Sequence, residues 1–526
     1  MEQRTTSNKG IFESKSASLE VVTASTPVGP QDQSLVTKNE RKWIPNFSEA
    51  KLLLIASTGF FIDAYDLFTI NLVVPILNIQ YNGKLGSKLG NAALAGGLLK
   101  AATNIGCIVG QILFGTLGDV YGRRIVYPAA LALAILGTIL TISAPNSLGP
   151  QGVFIWMTIM RILMGIGIGG DYPMSASVVS DRANINRRGL LLTFTFAMQG
   201  WGNLAGAIVC IVVLETDLGR DLVPAIATLY QRLKLPESDR MTEVLNERKS
   251  NGKSTLVVGP EVVDQLASKE IHASPPSSQP HFHQFSKSKL SAFNEFKAYF
   301  GKWRHLKHLI ATTSCWFLLD LSFYGIALNQ SMVIADIGYD KATEPWQNAF
   351  DNTKANLIII SLVSCPVISL VFSFQRNLFT MFFIEYIGRK PIQVGGFLIE
   401  GLLLAIVAGD FAKLSTQPGG FLVCFILLQF FFNFGANTTT FVYPAESFLL
   451  VSVRGFASGI SAAGGKLGAV IAALCFGELS EKIGTNSVLW ILAGTSFLGA
   501  GISMLLPETK GWDADEADGF EQSQQT

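Results

Sequence analysis

Asp63 and Asp66 stand three residues apart in GFFIDAYDLFTINLV, a stretch that is otherwise uncharged. On a helix this spacing puts both carboxyls on one face. Two carboxylates held that close repel if both ionise, so one of them should carry a proton. Such a pair can take up and release protons, which is what coupling to a proton gradient requires. A structural polar pair facing another helix is the other reading. Further on, CWFLLDLSFYG repeats Trp316, Asp320 and Tyr324 at i, i+4 and i+8, a single helical stripe. An indole N–H, a carboxyl and a phenol suit a small polar ligand better than lipid, although aromatic stripes also serve packing.

Three more places put polar groups in apolar surroundings: Gln199 in FAMQGWGN, Asn437 in FNFGANTTT and Lys466 in GGKLG. An uncompensated ammonium at membrane depth is unfavourable, so Lys466 should lie beside a carboxylate or an anionic substrate. The run GIGIGGDYPMSASVVSD, 165–181, sets Asp171 and Tyr172 directly after closely spaced glycines. Those glycines would let neighbouring helices approach closely. Arg161 and Lys100 fit structural ion pairing as well as they fit function.

These residues are carried on helices long enough to cross a bilayer, about 20 residues each. The chain of 526 residues is 49% hydrophobic and 15% charged, against about 25% charged in soluble domains. Its mean hydropathy is +0.37. Spans are expected near 51–78, 91–117, 126–144, 152–172 and 190–214, and then near 309–328, 355–375, 378–387 with 392–410, 420–443, 455–477 and 487–506. Residues 1–42 read as a disordered tail without an apolar leader. The stretch 232–308 reads as a polar loop and holds all five histidines, so a proton relay inside the membrane would use carboxylates. The six cysteines are scattered through apolar stretches and read as small hydrophobes. A net charge of +1 argues against a bulk nucleic-acid role.

Lys and Arg in short loops set orientation. Arg123, Arg124, Arg182, Arg187, Arg188, Arg389, Lys390, Arg454 and the central loop fall on one side, against Lys84, Lys88, Lys341 and Lys354 on the other. Both termini and the central loop are therefore expected in the cytoplasm.

The motifs GGDYP, DAYD, WFLLDLSFYG, NFGANTTTFVYPAE and LPETKG stand in order along the chain. Together they resemble the fungal phosphate:proton symporters, a branch of the major facilitator superfamily. The resemblance covers about residues 45–512, apart from the central loop and one helix. It implies an all-α, polytopic membrane fold of two six-helix bundles, 43–231 and 309–507, flanked by the tail 508–526. It implies proton-coupled phosphate uptake at the plasma membrane, with Tyr172, Gln199, Trp316, Asp320, Tyr324 and Asn437 lining the phosphate site. Asp63, Asp66, Asp171, Lys466 and Arg161 would then serve proton coupling and gating. GTLGDVYGRR (115–124) and IEYIGRK (384–390) match the superfamily's cytoplasmic loops, where Asp119 and the arginines can cap helices and pair charges to hold one state closed. Phosphate, protons and the bilayer are the expected partners, with no cofactor; oligomeric state is not readable.

Two departures from that pattern stand out. After the fifth span, LETDLGRDLVPAIATLYQRLKLPESDR (214–240) has too short an uncharged stretch to cross, so the sixth helix looks truncated. SFQRNLFTM (373–381) puts Arg376 inside the eighth span. Both suggest a splice or gene-model variant defective in transport. Competing functions are a glycerophosphodiester or other organic-anion symporter, a sugar porter, and a nutrient receptor that signals without transport. An enzyme is not indicated, since no nucleophile–base set stands out. The sequons at Asn329 and Asn437 lie too near or inside spans to be used.

Overall fold

The computed structural model describes residues 47–89, 92–121, 123–182, 188–215, 296–335, 344–362, 375–448 and 451–511. The N-terminal tail, the truncated sixth helix, most of the central loop, residues 373–374 of the eighth-span irregularity, and Cys365 lie outside them. Met1–Ser48 forms one unit and Glu49–Thr526 a second; the description concerns the second.

Among the described residues the secondary structure is helical throughout. The first half supplies α1 (Phe47–Gln80), α2 (Ala92–Tyr121), α3 (Arg123–Ile142), α4 (Gly149–Arg182) and α5 (Arg188–Glu215). The second half supplies α6 (Trp303–Ala327), the short α7 (Gln330–Ile334), α8 (Pro345–Leu362), α9 (Gln375–Ile387) and α10 (Arg389–Gly409). It continues with α11 (Phe411–Ser415), α12 (Pro418–Phe434), α13 (Ala436–Ser447), α14 (Val451–Ile483) and α15 (Thr485–Ser503). Nine helical stretches among the described residues, one of them running through α12 and α13, are long and apolar enough to cross a membrane.

Local sequence explains the boundaries that differ from expectation. The stretches 378–387 and 392–410 are two helices rather than one span. Gly388, with φ 96°, separates α9 from α10, a conformation that glycine adopts without strain. α6 begins at Trp303, inside the stretch read as loop, and His305 is buried with its ring stacked 4.1 Å from Tyr299. The span expected at 420–443 is interrupted at Gly435, between α12 and α13.

The glycines of α4 do what their spacing suggests. Gly165 and Gly169 lie against the α2 backbone at Thr103 and Cys107, while Gly167 lies against α3 at Ala130 and Ala134. A methyl at any of these would strike backbone, so α4 seats itself between α2 and α3 only with glycine there. On its other face α2 runs along α14, with Gly459 against Gln111, Gly115 against Gly455 and Gly97 against Ala473. The outer surface is apolar: Leu467, Ile471 and Cys475 form an exposed stripe on α14, so Cys475 shares an apolar environment without being buried.

Candidate functional site

The apolar length of α6 and α14 drives both into the bundle, and their few polar groups meet there. Lys466 Nζ lies 3.1 Å from Asp320 Oδ2 and donates a 2.7 Å hydrogen bond to the Tyr324 hydroxyl. It also lies 4.3 Å from the Tyr324 ring centroid and 5.1 Å from that of Tyr172. Trp316 lies one helical turn before Asp320 on α6, and the Tyr172 ring flanks the same ammonium. Gly465 provides the room for the indole, since a β-carbon there would run into Trp316. All five side chains are buried. The i, i+4, i+8 stripe thus forms one wall of a charged centre, and α4 and α14 form the others.

α1 carries the carboxylates expected to handle protons. Asp63 and Asp66 are both buried. Thr138 Oγ1 donates to Asp66 Oδ2 at 3.4 Å, and Arg161 donates to the backbone oxygens of Leu99 (3.2 Å) and Asp66 (3.5 Å). Asp171 lies beside Gly59 on α1, where any side chain would collide with it. It accepts a 2.8 Å bond from Ser175 Oγ, which in turn lies 3.1 Å from the Tyr127 hydroxyl. Asp66, Asp63 and Asp171 therefore sit at successive levels of α1, about one turn apart.

Gln199 and Asn437 do not join the Lys466 cluster. Gln199 lines a separate cavity of about 20 Å³ with Asn203, Gln330, Gln429 and Asn433. That volume suits about one water molecule. Gln429 Nε2 donates to Gln330 Oε1 at 3.3 Å, and Asn437 Nδ2 donates to Asn433 Oδ1 at 3.1 Å. Buried Gln199 Oε1 has no hydrogen-bond partner among the described residues. Gln429, Asn433 and Asn437 repeat at i, i+4 and i+8, the same stripe signal that marks Trp316, Asp320 and Tyr324. Asn203, Gln330, Gln429 and Asn433 were missed by the sequence reading although this signal was there for the last two.

Aromatic rings close both sides of the charged centre. Towards one end, Phe60 packs on Tyr172 (5.0 Å) and Phe441 (5.2 Å), and Phe441 stacks on Phe196 (5.0 Å). Towards the other, Phe68 stacks on Tyr324 (5.6 Å) and meets Phe323 edge-on (5.9 Å), which meets Phe432 (5.6 Å). Phe60 and Phe68 are about 12 Å apart along α1. The centre is thereby sealed from both ends.

The end of the bundle bearing the loop motifs is tied by charge. Asp119 accepts a 2.8 Å bond from the Phe456 backbone N–H, joining α2 to α14. Buried Arg389 pairs with Glu446 at 2.8 Å and Glu385 at 2.9 Å. Glu508 accepts the backbone N–H groups of Arg389 (2.9 Å) and Lys390 (3.0 Å), capping α10, and Thr509 donates to Glu446 at 2.7 Å. Gly189 at the start of α5 lies against Arg389 and Glu385.

This architecture and a charged centre between sealed ends define a membrane carrier. The chain belongs to the sugar (and other) transporter family, which it matches over residues 52–519, a family of carriers rather than enzymes. Its fold is that of the major facilitator superfamily. The proton:xylose symporter XylE bound to 6-bromo-6-deoxy-D-glucose superposes with a TM-score of 0.62 at 18% identity, over 90% of this chain and 98% of that one. Among relatives, a Schizosaccharomyces pombe protein described as "Putative inorganic phosphate transporter C1683.01" is 40% identical over 90% of this chain and 88% of its own length. Inorganic phosphate transporter PHO84 of Saccharomyces cerevisiae is 33% identical over 88% and 83%. Inorganic phosphate transporter 1-2 of Oryza sativa subsp. japonica is 34% identical over 88% and 92%.

Proposed function

We propose that this chain takes up inorganic phosphate together with protons by alternating access, in the plasma membrane, with its termini and central loop cytoplasmic. Six helices in each of 43–231 and 309–507 would form the two moving halves, with the sixth of the first half shortened. The reading is carried by the buried Lys466–Asp320 pair with Trp316, Tyr324 and Tyr172 around it, and it agrees with the names of the relatives.

The chemistry follows from charge balance. With Asp320 ionised, Lys466 is neutralised and has little to offer an anion. Protonating Asp320 leaves an ammonium without its counter-charge in a low-dielectric centre, and phosphate restores neutrality. Loss of that proton on the cytoplasmic side re-forms the ion pair and expels the anion. In the protonated state the Asp320 carboxyl donates its O–H to the anion while its carbonyl oxygen still needs a donor. Hydrogen phosphate supplies one from its own O–H; sulfate has none and would leave that acceptor unpaired. Asp63, Asp66 and Asp171 would pass the proton along α1, with Arg161 setting the field at Asp66. Gln199 and Asn437 would meet the phosphate oxygens once the amide cavity and the centre merge. Asp119 would hold the inner end shut.

The test is radiolabelled phosphate uptake at acid and mildly alkaline pH in cells lacking their own carriers, beside a version with a full-length sixth helix. Acid-stimulated accumulation by both supports the proposal for this chain. Accumulation only by the lengthened version would make this chain a defective form. No phosphate uptake by either, with uptake of glycerophosphodiesters, would replace the substrate.

A further inference from the structure

A second cavity, of about 520 Å³, lies at the end of the bundle opposite the Arg389–Glu446–Glu508 cluster. It sits by Asn78 and Ile79 in the last turn of α1, Ala93 in the first turn of α2, the end of α7 and the start of α8 at Pro345. Its polar wall is neutral, made of Asn78, Asn329, Ser331, Asn348, Asn352 and Thr353. Among the described residues, Lys100 is the one charged residue that lines it.

Lys100 Nζ donates a 3.1 Å hydrogen bond to Asn329 Oδ1, a neutral acceptor, and no carboxylate among the described residues lines the cavity. This contrasts with Lys466, whose charge is met by Asp320 at 3.1 Å. Ala473 in the cavity wall is seven residues beyond Lys466 on α14, about 10 Å along the axis. The rings of Phe68 and Phe323 belong to the seal between the two.

We infer that this cavity is an outer vestibule that captures the phosphate anion on Lys100 before it reaches the charged centre. The inference rests on the phosphate reading above. A low-dielectric cleft with one sign of charge concentrates its counter-ion and raises the rate of encounter. Capture by charge alone is unselective: sulfate occupies the vestibule as phosphate does, and selection falls to Asp320 deeper in. Sulfate is therefore a competitor of uptake that is not itself carried.

Two measurements test this. Lys100→Gln can still donate to Asn329 but has no charge, whereas Lys100→Arg keeps the charge. With membrane abundance measured, Lys100→Gln should raise KM for phosphate about three- to tenfold with maximal rate retained, and abolish inhibition by sulfate. Lys100→Arg should stay near the parent. An unchanged KM in Lys100→Gln, or an equal fall in maximal rate in both variants, overturns the vestibule.

The second measurement needs no transport. Ala335→Cys, on the cavity wall, is labelled by an anionic methanethiosulfonate with Cys475 replaced by serine. Inorganic phosphate and sulfate should each slow that labelling in the Lys100 parent. Unslowed labelling overturns the vestibule even where uptake is normal. Slowed labelling without uptake upholds the vestibule and sinks the transport reading instead. This assay decides the matter even if Lys100→Gln fails to reach the membrane.

Discussion

Lys466 and Asp320 face each other at 3.1 Å across the contact between α14 and α6, with the Tyr324 hydroxyl 2.7 Å from the same ammonium. One ion pair thus occupies the place where a transported anion would need a cation. In the proposed cycle, its making and breaking is the step that releases and admits the anion.

Asp320→Asn keeps the shape and removes the titrating proton. Net accumulation of phosphate should be lost, and any residual exchange should no longer rise with acidity. The sign follows from the order of events: protonation precedes binding, so uptake by the parent falls as external pH rises. Uptake by the variant with the parent's pH profile would rule out Asp320 as the coupling site.

Lys466→Met leaves a buried carboxylate without its cation. Removing one partner of a buried pair costs about 3–5 kcal/mol, so the purified variant should melt well below the parent. Adding Asp320→Asn to it should recover most of that loss while leaving transport dead. Thermal unfolding in detergent measures both, and additive losses would mean that the pair is not energetically coupled.

Gly465→Ala pushes a methyl into the Trp316 indole while leaving Asp320 and Lys466 in place. KM for phosphate should rise, since the indole is pushed from its place beside Asp320. Gly494→Ala, which meets nothing within 4 Å, is the matched control and should behave as the parent. Equal behaviour of the two variants in uptake assays would remove Trp316 from the site.

Arg389→Lys preserves charge but not the planar fork that serves Glu446 and Glu385 together. One of the two carboxylates, half-buried Glu385 or buried Glu446, loses its charged partner, a cost of about 2 kcal/mol if it is Glu446. The inner end should open more readily, read as faster labelling of a cysteine placed near Gly189 from the cytoplasmic side. Labelling at the parental rate would mean that the cluster does not hold the end closed.

Much of this was legible in the chain because charges in apolar helices are few and each needs a reason. Lys466 was expected beside a carboxylate, and Asp320 is there. The glycines before Asp171 were expected at close helix contacts, and they meet backbone on both sides. What stayed hidden depends on partners far away in the chain. Arg389 reaches Glu446 and the Glu508 carboxyl through the fold, and local spacing carries no trace of either. Gln199 and Asn437 were grouped with Asp320 by resemblance, whereas Gln199 lines a cavity of its own with Asn433, to which Asn437 is hydrogen-bonded. The start of α6 was set too late because His305 reads as polar, yet stacking on Tyr299 buries it.

Glu508 and Thr509 follow the last helix, inside the motif LPETKG and at the start of the stretch read as a C-terminal tail. In the fold they act as a clasp: one carboxylate closes the start of α10 and one hydroxyl braces Glu446. Anyone trimming the chain or appending a fluorescent reporter must therefore join beyond Thr509. A cut at Pro507 would unfasten the inner face rather than merely shorten an end.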